Sequence, residues 1–163
     1  MHFKNILVPT DFSDNSTKAY EFSLSLAKVN TAKLHILHIV EPLYYNQEFS
    51  SYTDKFSFDR DRTFEAEEEL ERFINKFSNS EIEIERAIRA GKAHEEIINY
   101  SRDNGMDLII ISTHGWKNLN AVTGSVTKKV LSFSRIPVIC VKVNIPSVIE
   151  NHKYSNIVEN WVG

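Results

Sequence analysis

Five short apolar runs, each separated from the next by a stretch long enough for a helix, constrain this chain of 163 residues more than any other feature. Ile6-Leu7-Val8 is apolar at consecutive positions and is ended by Pro9, as a strand buried on both faces of a parallel sheet would be. Leu34 to Val40 is a second such run, closed by Glu41-Pro42. Ile82, Ile84 and Ile88 alternate with charged residues, which predicts a half-exposed strand near an edge, ended by Gly91. Leu108-Ile109-Ile110-Ile111 is the most apolar run and is expected at the centre of the sheet. Val138 to Val143, after Pro137, is the fifth.

The stretches between them carry helical spacing. Ser13 is the expected N-cap of a first helix whose stripe is Ala19, Phe22, Leu26 and Val29. A second is expected from about Arg60 to Phe77, with Ala66, Leu70, Phe73, Ile74 and Phe77 inward and Glu65 and Glu67 to Glu69 toward water. The third runs from Ala93 to Asn104, with Glu95 and Glu96 in its first turn and Gly105 after its end. Ser125 is the expected cap of a fourth, with Val126, Val130 and Phe133 on its face. Residues 43 to 58, with Tyr44, Tyr45, Phe49, Tyr52, Phe56 and Phe58, read as a long loop with room for a short helix or a lid. Strict alternation of strand and helix predicts an α/β fold, a three-layer, doubly wound (Rossmann-like) five-stranded parallel sheet with right-handed crossovers. Residues 1 to 145 form one domain on this reading. Residues 146 to 163 form a tail whose pairs Val148-Ile149, Ile157-Val158 and Trp161-Val162 predict docking.

Composition removes several classes. Apolar residues are 42% and charged residues 25%, as in ordinary soluble domains. The single cysteine, Cys140, excludes a disulfide scaffold. A formal net charge of −3 argues against nucleic acid as a partner. No apolar run reaches the roughly 18 residues of a membrane span. The sequence enters a strand-like run directly after Met1, so no signal peptide and a cytoplasmic location are expected.

In an open parallel sheet, ligands bind beyond the carboxyl ends of the strands, where the strand order switches. The residues placed there are Pro9, Thr10, Asp11, Phe12 and Ser13; Val40 and Glu41; Gly91 to His94; and Ser112, Thr113, His114 and Gly115. Only five glycines occur, and Gly115 and Gly124 bound a polar loop that feeds the last helix. Backbone N–H groups at that helix start would bind an anion, and Ser125 and Thr127 add hydroxyls. The same residues also fit an ordinary β–α loop with a serine cap. No Walker loop and no G-x-G-x-x-G fingerprint is present. Asp11 suits a ribose hydroxyl or a phosphate-bound Mg²⁺, or equally a cap on the first helix. His35 and His38, three apart in a strand, face opposite ways, and His94 and His114 lack a third ligand, so no metal site is expected. Cys140 reads as a buried, inert thiol. No catalytic triad is evident.

Asn5 to Ser13, Leu37-His38-Ile39-Val40, Gly91-Lys92-Ala93-His94-Glu95-Glu96-Ile97, Asp107 to Val126 and Ile136 to Lys142 together resemble the universal stress protein family (UspA-like), over about residues 3 to 143. The resemblance implies strand order 3-2-1-4-5 and a homodimer through the last strand, Val138 to Val143. One branch of that family binds ATP with G-x-x-G, nine residues, then G-[ST]. This chain is similar to that branch, with Ser112 at the first glycine, Gly115 at the second, and eight residues before Gly124-Ser125. By resemblance, Pro9 and Thr10 lie by adenine and ribose, Asp11 by ribose or triphosphate, and the Ile39 backbone at the adenine edge. Gly91 gives close approach, while Ser112, Gly115, Gly124, Ser125 and Val126 surround ribose and phosphates. Mg²⁺ would be held by the phosphates of ATP, AMP or ADP rather than by protein ligands.

Two functions follow as expectations. One is an adenine-nucleotide-binding regulator or sensor, with hydrolysis slow or absent because no general base is evident. The other is a family member without nucleotide that acts as a dimer through protein contacts, favoured by Ser112 and the shorter loop. A phosphoacceptor receiver is excluded, because Gly91-Lys92 stands where its aspartate would be.

Overall fold

The computed structural model describes residues 2–42, 52–77, 81–113 and 124–142. Along them run β1 (Asn5–Thr10), α1 (Asp14–Asn30), β2 (Lys33–Val40), α2 (Tyr52–Asn75), β3 (Ile84–Ala90), α3 (Ala93–Asp103), β4 (Leu108–Ser112), α4 (Ser125–Phe133) and β5 (Val138–Val141). The described strands form one parallel five-stranded sheet in the order β3-β2-β1-β4-β5. This is the doubly wound architecture that alternation predicts, in the strand order that the family resemblance implies.

The period of two along each strand builds two cores. Ile6, Val8, Leu34, Ile36, Leu108 and Ile110 face α1 and α2, where they meet Ala19, Tyr20, Leu70 and Phe73. Leu7, Leu37, Ile109 and Ile111 face α3 and α4, where they meet Ile97, Tyr100 and Val130. His35 and His38 part as their spacing predicts: His35 Nδ1 lies 3.0 Å from the Tyr100 hydroxyl, while the His38 ring stacks on Phe12 in the other core. Tyr20 is fully buried, stacked on Phe73 at 5.3 Å, and burial pushes its phenol up to about 12.

Several boundaries and the place of β4 differ from expectation. α2 starts at Tyr52, not Arg60, and takes in the second half of the aromatic stretch. No Gly or Pro interrupts Tyr52 to Asn75, so nothing stops the helix from extending. β4 is an inner strand but β1 holds the centre. Both are fully buried along their apolar runs, so counting apolar residues does not rank them. β3 begins at Ile84, and Ile82 packs from outside the strand. β5 ends at Val141. Val143, the aromatics Tyr44, Tyr45 and Phe49, His114, Gly115 and the 146–163 tail lie outside the described residues.

α3 ends as its sequence predicts. Gly105 takes φ 61°, Met106 N–H donates to the Ser101 carbonyl and Gly105 N–H to that of Arg102, which is a Schellman closure. A Cβ at Gly105 would meet nothing within 4 Å. Gly105→Ala is therefore expected to cost about 1 kcal/mol through backbone conformation alone. Urea unfolding measures it, and a neutral result would show that the left-handed turn relaxes freely.

Candidate functional site

The strand order reverses between β1 and β4, and the pairing between these two strands is short. They are registered over two pairs, Ile6↔Leu108 and Leu7↔Ile109, whereas β1 and β2 are registered over six. Pro9 supplies the reason. Lys33 N–H donates to Lys4 O on the β2 side and Asp107 N–H donates to Asn5 O on the β4 side. Backbone groups alternate along a strand, so those of Leu7 and Pro9 also face β4. Proline has no N–H, and the ladder stops where Pro9 should have donated. Asp107 fastens the opposite end, its Oδ2 accepting from Lys4 N (2.7 Å) and Asn5 N (2.9 Å). The two strands are thus tied to each other at their amino ends, and their mutual register ends at Leu7↔Ile109.

The β1–α1 turn forms one wall. The Thr10 hydroxyl is buried, donates to Ser16 Oγ at 3.0 Å and accepts from Phe12 N at 3.0 Å. Asp11 Oδ1 accepts from Ser13 N (3.2 Å) and Ser13 Oγ (2.6 Å). Ser13 Oγ in turn accepts from Ser16 N at 3.2 Å, which is the N-cap that the sequence predicts. Asp11 thereby supports the helix cap while its carboxylate stays exposed at the crevice. Phe12 has φ 63°, a left-handed conformation that costs a bulky residue about 1–2 kcal/mol. Its ring stacks on His38 at 4.2 Å and meets Phe73 edge-on at 5.8 Å.

The start of α4 forms the other wall. Gly124, not Ser125, is the N-cap: it is extended (φ −63°, ψ 153°) and its carbonyl accepts from Lys128 N at 3.0 Å, leaving Ser125 as an exposed first helical residue. That φ suits any residue, so conformation is not what calls for glycine here. Gly124 N–H donates to the Thr113 carbonyl. Thr127 is buried, and its hydroxyl donates to the Ser112 carbonyl at 2.8 Å. Its proton therefore ties α4 to β4. Ser112 is itself a buried, regular strand residue paired with Val141.

The starts of α1, α3 and α4 differ electrostatically. α1 has its Ser13 cap and Asp14. α3 has Glu95 and Glu96, and the Glu41 carboxylate reaches over from the end of β2 to accept from Ala93 N at 3.1 Å. α4 has a glycine cap that makes no side-chain hydrogen bond, and no acidic residue in its first turn. Its positive end carries no carboxylate of its own.

The sequence matches the Universal stress protein family over residues 2–142. The chain belongs to the universal stress protein family. It is 27% identical over 154 residues to Universal stress protein MJ0577 of Methanocaldococcus jannaschii, covering 86% of this chain and 95% of that one. A solved structure of MJ0577 superposes with TM-score 0.80 at 28% identity, over 89% of this chain and 99% of that chain. Universal stress protein YxiE of Bacillus subtilis is 30% identical over 147 residues, covering 86% of this chain and 99% of the other. The universal stress protein from Archaeoglobus fulgidus in complex with dAMP shares the fold at TM-score 0.60 and 21% identity, over 87% of this chain and all of that one.

In this universal stress protein Pro9 and Thr10 end β1 with Asp11 next, Ser112 ends β4, and Gly124 to Thr127 start α4, where Thr127 is bonded to Ser112. Ile39 follows the last registered β1–β2 pair, Thr10↔His38, with its backbone groups on the β1 side. Gly91 has φ 151°, and a Cβ there would lie 2.9 Å from Glu96 Cγ. His94 stays in the first turn of α3, with Nε2 3.9 Å from Glu95 Oε1. His38 is the residue that reading the sequence passed over: its Nδ1–H donates to the Thr10 carbonyl at 2.9 Å. Only the pairing register, which spacing within β2 does not reveal, brings it to this turn. Burial pushes the Cys140 thiol up. Among the described residues no group of His, Cys, Asp and Glu could hold a metal, and no helix is long and apolar enough to cross a membrane.

Proposed function

We propose that this universal stress protein is a cytoplasmic regulator or sensor that binds an adenine nucleotide, ATP with AMP or ADP as alternatives, in the β1–β4 crevice. The start of α4 carries this reading: it is uncapped by any side chain, free of acidic residues and fixed beside the crevice through Thr127. Phosphates would take the N–H groups of Ser125, Val126 and Thr127, and Gly115 is the further candidate for phosphate contact. Ribose and adenine would lie toward Asp11, Thr10, Pro9 and the Ile39 backbone. The dAMP complex of the Archaeoglobus fulgidus relative supports the ligand class. Mg²⁺ would be held by the phosphates. Among the described residues no side chain of the crevice is set as a general base, which suits a regulatory role. The half-exposed edge strand Val138–Val141 suits pairing with a second copy.

One observation favours a second reading. Ser112 continues β4 as an ordinary buried strand residue at the position of the first motif glycine. A member so built would act as a dimer through protein contacts, without nucleotide.

Denaturing the purified protein and chromatographing the supernatant decides between them. Stoichiometric adenine nucleotide is expected, or micromolar binding of ATP with Mg²⁺ by calorimetry, about −8 kcal/mol. No nucleotide released and no heat up to millimolar ATP would establish the second reading.

A further inference from the structure

We propose that His38 is the positioning residue of the β1–α1 turn, and that its protonation unlatches Phe12 and so weakens the crevice for its ligand. What the turn serves rests on the nucleotide reading; the latch itself does not. Phe12 is held in its left-handed conformation from three sides. Its N–H donates to Thr10 Oγ1 at 3.0 Å, its ring lies on His38 at an interplanar angle of 20°, and Phe73 of α2 meets it edge-on. His38 is fixed in turn by the Thr10 carbonyl. A carbonyl only accepts, so the neutral ring carries its proton on Nδ1. Thr10 is thus clasped at hydroxyl and carbonyl, and Asp11 hangs between two anchored residues.

One face of the His38 ring is covered by Phe12, so a charge placed on that ring loses water. Burial accordingly holds the His38 pKa below 6.5. The Thr10 carbonyl and the carboxylates of Glu69 on α2 and Asp11 on the turn oppose this, and Arg62 on α2 adds to it. Undocking Phe12 returns the imidazolium to water. The docked turn is therefore fully favoured above the ordinary histidine value near 6.5 and loses ground as the pH falls below it.

The test uses the full chain with uniform ¹⁵N labelling and no nucleotide, followed by NMR from about pH 8 to pH 5. At the alkaline end the His38 proton is expected on Nδ1. The Phe12 amide is expected to shift with the same midpoint as His38, below the ordinary range. A proton on Nε2, or a Phe12 amide that stays still while His38 titrates, overturns the latch whatever the protein binds. ATP with Mg²⁺ is then titrated near neutral pH and near pH 5.5 against the unaltered chain and His38→Asn. Asparagine can donate to the Thr10 carbonyl but does not titrate. The unaltered chain should weaken severalfold more on acidification than the variant. Equal ratios in the two proteins overturn the coupling. Absence of ATP binding at either pH overturns the nucleotide reading instead, and the NMR titration still decides the latch.

Discussion

Phe73→Ala is expected to remove about 3–5 kcal/mol of folding free energy, the largest single-residue loss foreseen for this chain. Phe73 is 4% exposed and is the hinge of an aromatic row: Tyr20 of α1 stacks on it, Phe77 meets Tyr20 edge-on, and Phe12 meets Phe73 from the ligand end. Truncation leaves a cavity between α2 and the sheet that its neighbours fill only in part. Domains of this size are stable by about 5–15 kcal/mol, so the alanine variant stands near the limit of folding. Phe73→Leu keeps most of the volume and should retain the fold at a cost below about 2 kcal/mol. Urea unfolding followed by circular dichroism gives both values. A loss under about 1 kcal/mol for alanine would mean that the aromatic row does not hold α2 in place.

The same row explains what the sequence made legible and what it hid. Helical spacing alone places Phe73 and Phe77 inward, and β-run spacing alone separates His35 from His38. Ser13 and Gly105 announce two helix boundaries through chemistry that works within a few residues. What spacing cannot supply is register. That His38 stands beside Thr10, and that Pro9 faces β4 rather than β2, depend on which residues of neighbouring strands are opposite one another. Pro9 was legible as the end of an apolar run, yet its effect on the sheet is to break one ladder and not the other. Two boundaries moved by local energetics. Ser125 has the composition of a cap, but Gly124 is already extended and its carbonyl already accepts the first helical bond, so the helix starts one residue earlier than a serine cap implies. Arg60 looked like a start because aromatics crowd the preceding stretch, whereas aromatic residues without Gly or Pro do not stop a helix. The candidate site residues His114 and Gly115 fall outside the described residues.

Thr127→Val tests whether the start of α4 is the anion-binding wall. Valine matches threonine in shape and removes one hydroxyl, so packing is preserved while the Ser112 carbonyl loses the donor at 2.8 Å. Both residues are buried, and losing a buried hydrogen bond in this way costs about 1–3 kcal/mol. Thr127→Ser keeps the hydroxyl and should stay within about 1 kcal/mol of the unaltered chain. The bond also fixes where the first N–H groups of α4 lie relative to the end of β4. If phosphates are held there, valine should weaken ATP about tenfold, equivalent to about 1.4 kcal/mol, and serine should not. The two readouts separate fold from site. A valine variant that is less stable yet binds ATP with unchanged affinity would remove α4 as the phosphate wall and leave the nucleotide reading without the observation that carries it. Loss of both, restored together by serine, would mean that a single threonine hydroxyl joins the stability of the last βα unit to the capacity of the crevice to hold an anion.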